Sequence, residues 1–173
     1  MKPTIKPTGV ARDFADDEFL VSKTDARGRI TYCNDVFERL AGYSEAEMLG
    51  EPHSIVRHPD MPRAVFKLLW DRISAGHEIF AYVVNMAKNG DHYWVLAHVT
   101  PSRDASGQII AYHSNRRRPE PAAVAKIIPL YRELMAIEEG EADRKQGMNR
   151  AYDALLEKLT QAGKSYDEFV LSL

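Results

Sequence analysis

Between Pro52 and Pro62 the chain gathers His53, Arg57, His58 and Asp60 in the run Pro52-His53-Ser54-Ile55-Val56-Arg57-His58-Pro59-Asp60-Met61-Pro62. Each proline fixes its own φ and drives the preceding residue away from the α region, so these side chains project from a stiff, irregular loop. An arginine fork with a histidine donor beside it suits a phosphate or diphosphate. The same loop offers His53, His58 and Asp60 as metal ligands, provided that so rigid a segment lets them converge. Each residue also has a plain structural role open to it. Asp60 can cap the helix that follows or bond Arg57 and hold the loop's shape, and His53 can lie on the surface.

A second polar candidate sits on a strand. Ile79 to Ala87 and Asp91 to Ser102 flank Asn89-Gly90, a hairpin signal, and a three-residue turn over Lys88-Asn89-Gly90 would pair Asn85 with Tyr93 and Val83 with Val95. In that register one face collects Ala81, Val83, Asn85, Val95, Ala97 and Val99, and the opposite face collects Phe80, Tyr82, Val84, Met86, His92, Trp94, Leu96 and His98. A sheet face of Ala and Val beneath short helices leaves space that side chains do not fill, which a flat ligand can occupy. Asn85 is the strongly polar group on that face. Its paired donor and acceptor suit the edge of a flavin or pterin ring, or else it bonds water or backbone near the strand end.

The elements that must position these groups follow from local signals. A β pattern over Glu18 to Thr24, a turn at Asp25-Ala26-Arg27-Gly28 and a strand over Arg29 to Cys33 make a first hairpin. Asn34 can cap a helix over Asp35 to Ala41 that stops at Gly42, and Ser44 with Glu47 forms a capping box. Pro62 opens a longer helix to about Ala75 whose apolar face carries Val65, Phe66, Leu68, Leu69, Trp70 and Ile73. A last strand spans Gln108 to Asn115. Two strands, short helices, one longer helix and three consecutive strands specify an α+β domain: a five-stranded antiparallel sheet with helices on one face.

Residues 1–17, with Pro3, Pro7 and Gly9 among charges, read as a flexible N-terminal arm; residues 18–118 form the domain, and 119–173 form a C-terminal helical extension. Pro129 should kink or restart the first helix of that extension. Its apolar stripes require the sheet's outer face or a second copy of the chain. Trp94 and Tyr82, on the large-residue face, would meet that tail or that copy.

A net charge of −2 gives no broad attraction to nucleic acid or an anionic membrane, and the basic knot Arg116-Arg117-Arg118 reads as a solvated strand end leading into a linker. The single cysteine, Cys33, excludes an internal disulfide and fits a reducing cytosol, where it would be a small core residue. No apolar run long enough to span a membrane occurs, so a cytoplasmic location without membrane insertion is expected. No nucleophile with a paired base and no Gly-rich phosphate loop is present, and an enzyme is not expected.

The order of elements resembles a PAS domain. Within that family, Gly42-Tyr43-Ser44-Glu45-Ala46-Glu47-Met48-Leu49-Gly50, Val56-Arg57-His58-Pro59-Asp60-Met61-Pro62 and Lys88-Asn89-Gly90-Asp91-His92-Tyr93-Trp94-Val95 are similar to the sensor domain of bacterial aerotaxis receptors, over about residues 18–135. The resemblance implies a domain that holds FAD noncovalently and reports redox state or oxygen supply to a chemotaxis module or receptor domain, as a homodimer. It implies cofactor contacts at Asn34, His53, Arg57, His58, Asp60 and Asn85. Phe66, on the helix face after the loop, joins these as a ring contact or a core residue. The family pattern has a Trp where this chain has Ile79. No methyl-accepting coiled coil follows, so the expectation is either a piece of a larger receptor or a short sensor that signals through its helical tail.

Two alternatives stay open. FMN or haem could replace FAD; a haem-binding gas sensor needs one proximal imidazole, for which His113 is the candidate because it alternates with Ala111. A cofactor-free PAS domain would act only as a dimerisation module.

Overall fold

The computed structural model describes residues 5–173. Five strands, β1 (Leu20–Asp25), β2 (Ile30–Cys33), β3 (Ile79–Met86), β4 (His92–Arg103) and β5 (Ile109–Arg117), form one antiparallel sheet in the order β2-β1-β5-β4-β3. Between β2 and β3 lie α1 (Asp35–Ala41), α2 (Glu45–Met48), a 3-10 turn at His53–Val56 and α3 (Arg63–Ser74). They build the expected helical wall. Asn34 caps α1 by accepting from the Phe37 N–H, and Gly42 closes it at φ 69°.

The β3–β4 register is the one that a turn at Lys88-Asn89-Gly90 dictates, with Asn85 opposite Tyr93 and Val83 opposite Val95. Gly90 has φ 96°, and a Cβ there would stand 2.2 Å from the Lys6 carbonyl oxygen, because the N-terminal segment crosses directly over the turn. That segment departs from the loose arm expected. Thr8 N–H donates to Gly90 O at 2.9 Å, Arg12 N–H to His92 O at 2.7 Å, and Arg12 Nε meets Asp91 at 3.0 Å. Arg118, from the basic knot, holds the segment's other end through Asp13 at 2.8 Å and Asp16 at 2.9 Å. Residues 1–4 of the expected arm lie outside the described residues.

The tail forms α4 (Pro121–Glu139), α5 (Arg144–Ala162) and α6 (Tyr166–Leu171). α4 does not restart at Pro129 but runs through it as one helix. It covers the large-residue face of the sheet: Tyr131 stacks on Trp94 with centroids 6.1 Å apart and donates to the Tyr82 carbonyl at 2.5 Å. The edge strand β3 is closed further by Asp167 of α6, whose carboxylate accepts from the Phe80 N–H at 2.9 Å and from Arg72 at 2.9 Å. A side-chain acceptor thus occupies one backbone N–H that an open edge would offer to another chain. None of the described helices is long and apolar enough to cross a membrane.

Candidate functional site

Between the Ala/Val face of the sheet and α3 lies a cavity of about 580 Å³, within the size range of small-molecule and cofactor pockets. Val83, Ala97 and Val99 form part of its sheet wall, and Phe66, Leu69, Trp70 and Ile73 its helical wall. The period of two along β3 and β4 aims small residues inward, so the sheet cannot fill the space it faces.

Four of the residues expected at a cofactor site converge here: His53, Arg57, Phe66 and Asn85. Arg57 follows the 3-10 turn, and its backbone bridges to Asn85 across the end of β3. Its guanidinium carbon lies 4.2 Å over the Phe66 ring, a cation–π contact that leaves the fork's edge free. The Nη2 group is buried without a hydrogen-bond partner. Burial lowers the Arg57 pKa from its ordinary value, partly offset by Glu138 nearby. Asn85 is only 4% exposed and lines the cavity.

The deep end of the cavity holds a group that sequence reasoning misplaced. Arg116, expected as solvated, is 2% exposed, lines the cavity, and stacks its guanidinium 4.1 Å over Phe37. Its Nη2 donates to Ser22 Oγ at 2.7 Å, its Nη1 lies 3.4 Å from His53 Nε2, and its Nε has no partner. Because a guanidinium can only donate, His53 Nε2 must accept, and the Ser22 hydroxyl, 3.1 Å away, can donate to it as well. Burial and the Arg116 charge accordingly push the His53 pKa down to about 3, so the imidazole is neutral. Burial lowers Arg116 itself to about 10. A strand-period signal was available in the sequence: Tyr112, Ser114 and Arg116 alternate along β5, and all three line the cavity. Three consecutive arginines before a proline-rich stretch obscured it.

The remaining expected residues stand outside the lining. Asn34 spends its side chain on backbone, accepting from Val21 N–H at 3.0 Å and Phe37 N–H at 3.2 Å and donating to Phe19 O at 2.8 Å. His58 is buried against His92, and its Nδ1 accepts from the Asp60 N–H at 3.1 Å. The Asp60 side chain is 73% exposed and neither caps α3 nor bonds Arg57. Instead Glu138 of α4 reaches the start of α3 and accepts from the Ala64 N–H at 2.8 Å. His113 lies between Tyr112 and Ser114, both in the lining, so the pleat turns it to the other face of the sheet. It cannot serve as a proximal ligand inside this cavity. Nor do His53, His58 and Asp60 converge: among the described residues no cluster of three metal-ligating side chains forms. Cys33 is buried, its thiol pushed up to about 11 chiefly by burial, and it is absent from the cavity lining.

A five-stranded antiparallel sheet, short helices packed on one face and a cavity between them define a PAS fold. Residues 30–115 match the family model described as PAS fold, and this segment of the chain is a PAS domain. The chain is 43% identical over 122 residues to the aerotaxis receptor of Escherichia coli strain K12, a match covering 70% of this chain and 24% of that protein. It is 30% identical over 97 residues to a nitrogen fixation regulatory protein of Klebsiella pneumoniae, covering 56% of this chain and 20% of that one. The chain therefore spans about a quarter or less of these relatives. Among solved structures, the dark structure of the blue-light photoreceptor Aureochrome1 LOV superposes with a TM-score of 0.57 at 27% identity, covering 67% of this chain and 86% of that chain.

Proposed function

We propose that this PAS domain binds a flavin noncovalently, FAD foremost, and converts its redox state into a signal for a chemotaxis module or a related signal-transduction partner. One observation carries the reading. An apolar slot is bordered by two cations with unpartnered N–H groups, Arg57 Nη2 and Arg116 Nε, and by the carboxamide of Asn85. Buried donors left without acceptors are costly in a finished fold, so a planar ligand carrying acceptors and negative charge complements them. The similarity to the aerotaxis receptor and to a photoreceptor LOV domain supports a flavin over other planar guests.

Arg57, near the loop end of the cavity, would hold phosphate, and its contact with Phe66 fixes the fork. Asn85 and Arg116 would contact the polar edge of the ring, with His53, held neutral, adding no second charge beside Arg116. A flavin supplies reversible electron transfer that changes the protonation and charge of its ring. A fixed cation favours whichever form carries more negative charge, so Arg116 would bias that equilibrium, and Asn85 would relay the altered hydrogen bonding to β3 and the tail that covers it.

Denaturing the purified protein and identifying any released chromophore by absorbance and mass tests this directly. A flavin gives bands near about 370 and 450 nm, haem a single strong band near about 400 nm, and a colourless protein that takes up no added FAD supports the dimerisation module instead.

A further inference from the structure

One lining residue of the cavity belongs to the tail: Met148, on α5. The helix carrying it is seated closely. Gly147 is buried so tightly against α4 that a Cβ there would stand 2.3 Å from the Glu138 carbonyl oxygen. The Glu138 side chain, 6% exposed, accepts from Ala64 N–H and from Arg63 Nε at 2.9 Å, and Arg63 Nη1 donates to the Arg144 carbonyl at 2.8 Å. Lys67, itself in the lining, lies 4.2 Å over the Tyr152 ring. One residue, Arg63, thus ties together the start of the pocket helix, the end of α4 and the start of α5.

Toward α4, α5 buries Ala151, Leu155 and Leu159 and pairs Lys158 with Glu133 at 3.0 Å, so the two helices form a hairpin. Toward α3, the hairpin offers Met148, the Tyr152 ring and a handful of polar bonds. An apolar interior on one side and polar, separable contacts on the other are what a movable wall requires.

We propose that the start of α5 is a hinged wall of the cavity, and that its docking is coupled to what the cavity holds. Reciprocity follows: an occupant that touches Met148 holds the tail down, and a tail that lifts releases the occupant. Only the identity of the occupant rests on the flavin reading.

Two measurements on the full chain separate the two ideas. In a Cys33→Ser, Ala97→Cys background, reaction of the cavity thiol with an aromatic disulfide reagent should be about tenfold faster with Gly147→Ala and about threefold faster with Met148→Ala. Should Gly147→Ala lose its far-ultraviolet circular dichroism, Met148→Ala decides alone. Equal labelling rates would overturn the hinged wall. Hydrogen exchange over residues 144–162 should slow by about threefold or more on adding FAD. FAD binding with no change in exchange also overturns the coupling. If FAD fails to bind while labelling still responds to the variants, the flavin reading falls and the wall stands.

Discussion

Replacing Arg116 by Met should stabilise the ligand-free protein and weaken flavin binding, two effects of opposite consequence from one substitution. The side chain is buried with no carboxylate beside it; its partners are a hydroxyl, a neutral imidazole and the Phe37 face. Depression of its pKa from 12.5 to about 10 means that the folded state disfavours the charged form by about 3 kcal/mol. Both folded and unfolded chains carry the charge below about pH 10, so this cost is fully present at neutral pH. The Phe37 contact returns about 2 kcal/mol when desolvated, leaving a net penalty of about 1 kcal/mol. Arg116→Met should therefore raise the apo-protein's stability by about that much, a Tm increase of roughly 2–4 °C for a chain of this size. Losing a charge-assisted bond to the ligand, about 1.5–3 kcal/mol, should weaken FAD about ten- to a hundredfold. Thermal melts of the apo-protein and fluorescence titration with FAD read the two effects separately. A variant that melts lower yet binds FAD as tightly as the parent would show that Arg116 is a structural strut and refute the reasoning.

Three further outcomes are expected. His53, with a folded pKa of about 3 against an ordinary 6.5, stays neutral while the unfolded chain gains a proton, so stability should fall as pH drops below about 6.5. The slope from His53 is at most about 1.4 kcal/mol per pH unit; urea unfolding between pH 7 and 5 measures it, and His53→Gln should flatten it, leaving the share from His58 and His113, whose pKa values burial also lowers. Asn85→Ala should fold normally and still take up flavin, but the difference in tail hydrogen exchange between oxidised and reduced protein should vanish; an unchanged difference removes Asn85 from signalling. Gly28→Ala should cost about 1–2 kcal/mol through its positive φ, and because the new Cβ would stand 2.8 Å from the Trp70 ring, the indole emission should shift as the ring moves.

What could be read in the chain and what could not divides along physical lines. The hairpin turn at Lys88-Asn89-Gly90 was legible because few residue types adopt its backbone, and the turn fixes the register. Register fixes which side chains share a face, so Val83, Asn85, Ala97 and Val99 followed together. The proline-bounded loop pointed to Arg57 for a similar reason: stiff backbone with polar side chains has few other uses. Its neighbours show the limit. His58 and Asp60 lie within three residues of Arg57, yet one turns into the protein against His92 and the other into solvent, a difference that depends on surfaces brought from β4.

The groups that tertiary structure alone decided are those whose partners are distant in sequence. Arg116 belongs to the cavity because β5 lies between β1 and β4, which places its guanidinium against Ser22 and Phe37. The first turn of α3 is capped by Glu138 from 74 residues away, a role that local spacing had offered to Asp60. Met148 entered the cavity wall because Glu138, near the end of α4, bonds the first turn of α3, so that α5 begins beside that helix. Local sequence sets turns, caps and alternation through backbone sterics over a few residues. Which long-range neighbour completes a buried charge or closes a cavity depends on the packing of whole elements, and that is settled only when the sheet order and the path of the tail are known.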